Sequence, residues 1–511
     1  MSQQERQPLL AVHDAAAPVV VAEPALERNF SFIAALGLAF TLLNTWTAIH
    51  RSLPVGLESG GPVVMLYGLI ISVIGQTFVA TSLAEICHVL PMAGGQYDWT
   101  YMLAPKSMRN GLSFLVGWLS CAGWVTLFAA AAALTENLCM GMFVLWSDMS
   151  GPSRWQEFAL ILVFVLIAYV LNAFFVRALP GIDHFSGVWS IVGMVLIMGV
   201  LLVCSKGHYQ PAKAVFTTFT NNTGWPNTIA FLLGMLQSTL TTSSFDAVTH
   251  LVEEMPQPAR NAPKIMVLAP ITGGVTAWPF MLVLLFCMRN WEAVVASPLG
   301  PVLEIYQQST NSPVGATLLM FINTLAMAFC TQSVLTISSR MVMSFARDRG
   351  LAQVSPFIAP INPKLNVPFN SINFVTAWVV LFCLIYLGST VALNAIMSSA
   401  IFFLQLSYCV PIMLVLFRGE KAFDEHAPTR GWSLGRWRRP VHIVSLVFLA
   451  VTSTIFLFPP FLPVTAENMN YAVVVFVIVL IMCAVAWFAD GKENFKGPLD
   501  VEERLAAARA A

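Results

Sequence analysis

The sequence predicts an all-α integral membrane protein with twelve transmembrane helices. Of its 511 residues, 57% are hydrophobic and 10% charged, whereas a soluble globular domain is about one quarter charged. Apolar runs of the length needed to cross the hydrocarbon layer, about 20 residues, recur twelve times. They lie at about 30–50, 62–87, 112–146, 156–176, 184–204, 227–252, 264–288, 314–340, 370–388, 392–417, 441–460 and 469–489. The gaps between them hold breaker residues such as Pro91, Pro180, Pro226, Pro313 and Pro368.

In chain order, residues 1–29 are polar with scattered Ala, Val and Pro, and read as a disordered tail rather than a cleaved leader. The membrane domain occupies 30–489, its third run long enough to tilt, and 490–511 form a second tail. Basic residues set the orientation. With the N-terminus inside, only Arg51, Arg154, Lys206, Lys213 and Arg289 of the 26 Lys and Arg fall on the outer side. An excess of 21 to 5 on one side places both termini in the cytoplasm. Asn221, in "NNT", then lies in an outer loop as a glycosylation acceptor, while Asn29, in "NFS", faces the cytoplasm and stays bare.

Ionisable and strongly polar groups within spans each need a reason, because lipid solvates none of them. Glu85 ends the second span near the inner face, where an interfacial role fits. Glu136, about ten residues from the outer end of the third span, lies roughly 15 Å deep. It is either a neutral group bonded to neighbouring helices or a functional acid. The first span carries Asn44, Thr45, Trp46 and Thr47 together near its middle. The sixth ends in "TTSSFDAVTHLVEEM", 241–255, four hydroxyls followed by Asp246. In an unbroken helix Asp246 is a boundary carboxylate. If the span unwinds at Ser243–Ala247, Asp246 moves towards a binding site; the residues alone leave both readings open. The two interruptions lie five spans apart, and an inverted five-helix repeat would set them facing one another.

Other classes find little support. Acidic and basic residues balance at 26 each, so there is no basic field for a nucleic acid. No P-loop, HExxH or paired metal-ligand spacing occurs, so neither cofactor nor metal is expected. The nine cysteines lie in or beside apolar runs without paired spacing. "GWSLG", 431–435, matches a nucleophile elbow but sits in a basic loop with no strand before it, which argues against a membrane-embedded enzyme.

Eight segments in order carry a family resemblance: "GLAFTLLNTWTAI", "SGGPVVMLYGLI", "SLAEICHVLPMAGGQYDW", "LAP" at 103–105, "NNTGWPN", "FDAVTHLVEEMPQPARNAP", "SFARDRGL" and "PPFLPVTAENMNY". From about Phe30 to Trp487 the chain resembles the fungal amino acid/choline permeases of the amino acid–polyamine–organocation superfamily. The resemblance implies a LeuT-like fold: inverted five-helix repeats, two further helices, and broken helices 1 and 6 around a central site. It also implies a secondary active transporter of the plasma membrane, importing a small amine or amino acid (choline, GABA, a polyamine or an amino acid) with protons. Export of a fungal metabolite is the alternative.

By position, the resemblance puts the first break at Asn44 to Ala48 and the second at Ser243 to Ala247, favouring the unwound reading. It implies a substrate site of Asn44, Thr45, Trp46, Ser243, Ser244, Phe245 and Asp246. Helix N-termini at such breaks suit a carboxylate, and the free carbonyls suit an ammonium. Trp46 and Phe245 can each face a cation for about 0.5–2 kcal/mol. Asp246 is the first choice for proton coupling and Glu136 the second. Leu240 departs from the pattern, standing where choline and arginine carriers place a stacking tryptophan, which argues against a quaternary ammonium substrate. "GGQYDW" (94–99) and "EEMPQPARNAP" (253–263) are expected as gate or loop-shaping segments on the cytoplasmic side.

Overall fold

At the start of the first span Ser31 caps the helix, its hydroxyl accepting from the Ala34 N–H at 3.2 Å and satisfying one of the donors a helix start leaves free. The computed structural model describes residues 31–147, 151–419, 421–424 and 431–510. The expected tail at 1–29, with Asn29, lies outside the described residues. Helix α1 (Phe32–Leu43) stops at Asn44 and the chain restarts as α2 (Thr45–Ser59). The principal helices that follow are α3 (Leu69–Val89), α4 (Gln96–Leu103), α5 (Arg109–Trp146), α6 (Arg154–Phe174) and α7 (Leu179–Cys204). Then come α8 (Asn227–Thr242), α9 (Pro258–Cys287), α10 (Pro313–Arg347), α11 (Phe369–Gly388), α12 (Thr390–Arg418), α13 (Arg438–Ile455), α14 (Ala472–Ala486) and α15 (Val501–Ala510). Among the described residues there is no strand, only an isolated bridge between Asn362 and Val367.

Ten helices among the described residues are long and apolar enough to cross a membrane. The two remaining expected runs coincide with shorter or more polar helices. At 227–252 the chain forms α8, 16 residues long, then a 3₁₀ segment, Phe245–Glu254. At 441–460 it forms α13, whose first turns carry Arg438, Arg439 and His442.

The long helices α5 and α10 pack on each other, and α12 packs on α5. Helix α3 packs on α9 and α13, α2 on α8, and α1 on α7. Burial grades outward from there: 72% of the apolar window is buried for α1–α2 and for α5, against 11% for the segment that begins with α14, the least buried of the ten. Glu85, expected at an interface, is fully buried and paired with Arg438 at 2.8 Å. It also accepts from the Leu434 N–H at 2.9 Å and from the Ser433 hydroxyl at 3.3 Å. The serine of "GWSLG" thus holds a loop in place.

The face that carries α15, here the terminal face, is closed by ion pairs and by the chain's own end. Arg347 meets Glu253 at 2.6 Å and Arg340 meets Glu254 at 2.8 Å, tying the 3₁₀ segment to α10. Asp348 accepts from the Tyr97 hydroxyl at 2.7 Å, from the Leu499 N–H at 3.0 Å and from Arg504 at 3.0 Å. Phe495 is buried against Phe114 and Phe345.

Asp98 lies behind this cluster, its Oδ2 accepting from the Gly94 N–H at 3.0 Å. Burial, with the Asp348 carboxylate adding to it, pushes Asp98 up to about 8, while Arg504 and Arg347 pull the other way. The closed arrangement therefore holds the Asp98 proton across neutral pH, where a freed carboxyl of ordinary value near 3.8 gives it up. By linkage, the contribution of Asp98 to closure is complete at low pH and fades as pH rises through about 8. Amide exchange over 495–504, corrected for its intrinsic pH dependence, is expected to accelerate as pH rises from 3.8 to about 8 and to level off above that, and Asp98→Asn to flatten the rise. A wild-type profile already flat over this range refutes the assignment.

Candidate functional site

The backbone breaks where the polar residues interrupt the apolar runs. Asn44 adopts the left-handed region (φ 39, ψ 41), which Asn tolerates better than most residues. The first break is therefore one residue wide, with Thr45–Ala48 already helical, narrower than the expected Asn44–Ala48. The carbonyl of Asn44 accepts from Thr47 at 3.0 Å and from Ala48 at 2.9 Å, starting α2 at once. At the second break Ser243 is extended (ψ −177) and Ser244 left-handed (φ 70). Phe245–Glu254 continue as ten residues of 3₁₀ helix, a long run for that geometry.

The hydroxyl run explains how this break survives inside a membrane, where each free carbonyl needs a partner. Ser243 Oγ donates to the Thr239 carbonyl at 2.8 Å, and Thr241 and Thr242 donate to the Ser238 carbonyl at 3.0 and 2.9 Å. Thr45 Oγ1 crosses from the first break to the Thr241 carbonyl at 2.9 Å. On the other side, the Cys330 thiol donates to the Leu42 carbonyl at 3.2 Å. Gln76 Nε2 holds Ser243 Oγ at 2.6 Å. Asn44 donates from Nδ2 to Met327 Sδ at 3.4 Å, leaving its buried Oδ1 without a partner.

A cavity of about 370 Å³ lies over this junction. Leu42, Leu43 and Ala48 of the first break and Thr241, Ser243 and Ser244 of the second line its floor. Its mouth is formed by Phe456, Phe458, Pro460, Glu467, Asn468, Asn470 and Tyr471, around the α13–α14 connection, on the face opposite α15. Among the described residues its lining holds one carboxylate, Glu467, and no Lys, Arg or His. A larger groove of about 750 Å³ between α5, α11, α12 and α14 is lined almost wholly by apolar side chains, with no charged one among the described residues.

Of the residues expected to hold substrate, Ser243 and Ser244 line the cavity. Asn44, Thr45, Trp46, Phe245 and Asp246 do not. Trp46 is buried, donating its indole N–H to Ser190 Oγ at 2.7 Å and standing edge-on to Phe280 at 5.1 Å. Phe245 packs on Tyr408 with centroids 5.5 Å apart. Asp246 lies just below the floor, fully buried. It accepts from Gln96 Nε2 at 2.7 Å and from the Tyr408 hydroxyl at 2.5 Å, with His250 Nε2 3.7 Å away. Glu136 is 6% exposed and does not line the cavity. Asn221 is partly exposed in an Asx turn, its Oδ1 accepting from the Thr223 N–H at 3.1 Å and its Nδ2 donating to the Trp225 carbonyl at 2.7 Å.

Sequence reasoning missed Gln96, Tyr408 and His250 around Asp246. "GGQYDW" was a signal for the first of these. Gly95 takes φ +58, and a Cβ on Gly94 would come within 2.5 Å of the Tyr97 ring and of Asp98, so both glycines are dictated by the turn. That turn points Gln96 at the second break and Tyr97 at Asp348. The segment joins the cavity floor to the terminal-face cluster.

A profile of an amino acid permease family matches residues 30–481. The chain is 32% identical over 495 residues to a choline transporter of Saccharomyces cerevisiae, covering 96% of this chain and 87% of that one. It is 32% identical over 440 residues to a putative amino acid/polyamine transporter of Macrophomina phaseolina, covering 85% and 96%. It is 28% identical over 480 residues to a polyamine transporter of S. cerevisiae, covering 91% and 75%. With broken apolar helices around a cavity and near full-length similarity to transporters rather than enzymes, the chain belongs to the amino acid permease family.

Proposed function

We propose that this permease imports a small primary amine or amino acid across the plasma membrane, coupled to protons, with both termini in the cytoplasm. In this reading α1–α2 and α8 with the 3₁₀ segment are helices 1 and 6 of two inverted five-helix repeats, followed by two further helices. The observation that carries the reading is the cavity itself: it ends on two broken helices and, among the described residues, the one charged side chain in its lining is Glu467.

The chemistry follows from the ends of those helices. N–H groups that open α2 and the 3₁₀ segment leave partial positive charge at the breaks, fitting a carboxylate. Carbonyls ending α1 and α8, with Glu467 at the mouth, fit an ammonium. Asp246 is the acid nearest to this site, one layer beneath Ser244, and Glu136 stands further back. Orientation rests on the excess of Lys and Arg on the terminal face, and it places Asn221 outside as a glycan acceptor.

Leu240 sets the class of ammonium. It lines the cavity where the choline-carrier pattern has an aromatic wall, so a quaternary ammonium finds no π-face at the break. Uptake in a transporter-deficient yeast, with labelled choline, GABA, polyamines and amino acids, with and without a protonophore, tests the reading. Accumulation of a primary amine or amino acid that collapses with protonophore is expected. Accumulation indifferent to protonophore refutes proton coupling, and failure with the entire panel refutes the substrate class. Leu240→Trp is expected to tighten choline binding by about two- to thirtyfold, one cation–π contact of about 0.5–2 kcal/mol; unchanged choline competition speaks against Leu240 as a selector.

A further inference from the structure

Asp183 lies one turn into α7 and is fully buried. Its Oδ1 accepts from Ser333 Oγ of α10 at 3.0 Å, and its Oδ2 has no hydrogen-bond partner. Among the described residues no Lys, Arg or His nitrogen stands within ion-pair distance of it. Its carboxylate meets Ser333 from α10, behind which stand Gln332 and Asn172, and its backbone carbonyl lies against Gly37 of α1, all neutral. Its chain neighbour His184 lies on α7 itself. Arg340, two turns along α10 from Ser333, is already engaged by Glu254 at 2.8 Å.

The position is a joint. The Asp183 carbonyl accepts from Ser186 Oγ at 2.8 Å, and Ser186 Oγ pairs with Thr41 Oγ1 at 2.6 Å. A Cβ on Gly37 would come within 3.1 Å of the same carbonyl, so α1 and α7 touch almost backbone to backbone. Thr41 is three residues before the break at Asn44. Ser333 is flanked on α10 by Cys330 and Val334, both of which line the cavity floor. Asp183 thus sits one residue layer behind the floor, where α1 hinges on α7 and α10.

A bare carboxylate at this depth, with one hydroxyl donor and no cation within ion-pair distance among the described residues, is costly. Asp246, by contrast, already has a donor on each oxygen. We infer that Asp183 carries the coupling proton: it is a neutral carboxyl while α1 is packed on α7, and it releases H⁺ to water on the terminal face when that half of α1 swings away. Reloading takes H⁺ from the opposite face by way of the cavity. Charging Asp183 disfavours repacking of α1, so return to the closed form requires a proton. The inference rests on the proton-coupled permease reading.

Purified protein in liposomes, loaded with the best substrate from the uptake panel, separates the two. In Asp183→Asn, accumulation driven by an inward proton gradient is expected to fall at least tenfold. Counterflow exchange at equal pH, which moves no net proton, is expected to persist, and its pH dependence to flatten. Accumulation at the wild-type level with an unchanged pH profile overturns the assignment. So does parallel loss of accumulation and exchange in a variant that keeps its melting temperature, because that is the signature of a substrate-site or structural role. Should the variant fail to fold, Ser333→Ala decides: removing the one donor is expected to shift the pH profile of accumulation while exchange persists, and an unmoved profile overturns the proposal. Wild-type exchange with no response to a proton gradient sinks the coupled reading instead, and wild-type protein without exchange sinks the substrate class.

Discussion

Arg340→Met is expected to remove about 3–5 kcal/mol of stability, the usual loss when one member of a buried ion pair is taken away. Arg340 and Glu254 are 1% and 3% exposed, joined at 2.8 Å with a second bond from Nη2 to Oε2 at 3.3 Å. Methionine fills similar volume but leaves Glu254 charged among apolar neighbours. A membrane protein so altered is expected to lose most of its monodisperse peak after detergent extraction and to melt well below the wild type. Arg340→Met combined with Glu254→Met is expected to recover much of the loss, since no lone charge is then left. A single variant that melts with the wild type shows the pair to be dispensable.

Asp246→Asn is the second large effect. Gln96 and Tyr408 both donate to Asp246, and an amide presents one acceptor and one donor where two acceptors are needed. A buried donor facing a donor loses a charge-assisted bond of about 1.5–3 kcal/mol. Tyr408 then loosens from the second break, and both proton-driven uptake and exchange are expected to fall ten- to a hundredfold. This pattern differs from that expected of Asp183→Asn, in which exchange survives. Uptake within twofold of the wild type in a folded Asp246→Asn protein removes Asp246 from the site.

The break at "TTSS" could be read from the chain because its cause is local. Four hydroxyls in an apolar run are what a helix end needs when its last carbonyls lose their N–H partners, and Ser243, Thr242 and Thr241 do bond to carbonyls one turn back. Asn44 was legible for a similar reason, as a strongly polar side chain clustered with Thr45 and Thr47 near the middle of an apolar span. The widths of the breaks were not legible. Whether Thr45–Ala48 stay helical depends on α2 packing against α8, which no local pattern encodes.

Asp183 shows the opposite case. In sequence it falls just before an apolar run drawn from 184 and looks like a loop acid. In the fold, α7 begins at Leu179, and the same residue is one turn inside and fully buried. Trp46 and Phe245 were expected to face a cation because they adjoin the breaks, but rotation of a helix by one residue turns a side chain about 100°. The rotations that Ser190, Phe280 and Tyr408 impose direct both rings into packing.

By itself, then, the chain determined that it lies in a membrane and that two spans carry polar breaks, because apolar length and local hydrogen-bond need are properties of neighbouring residues. Only the tertiary structure decided which polar groups meet: Glu254 with Arg340 across 86 positions, Asp246 with Tyr408 across 162, Asp183 with Ser333 across 150. Burial and pairing of charge depend on helix rotation and depth, and these are set by packing between segments far apart in sequence.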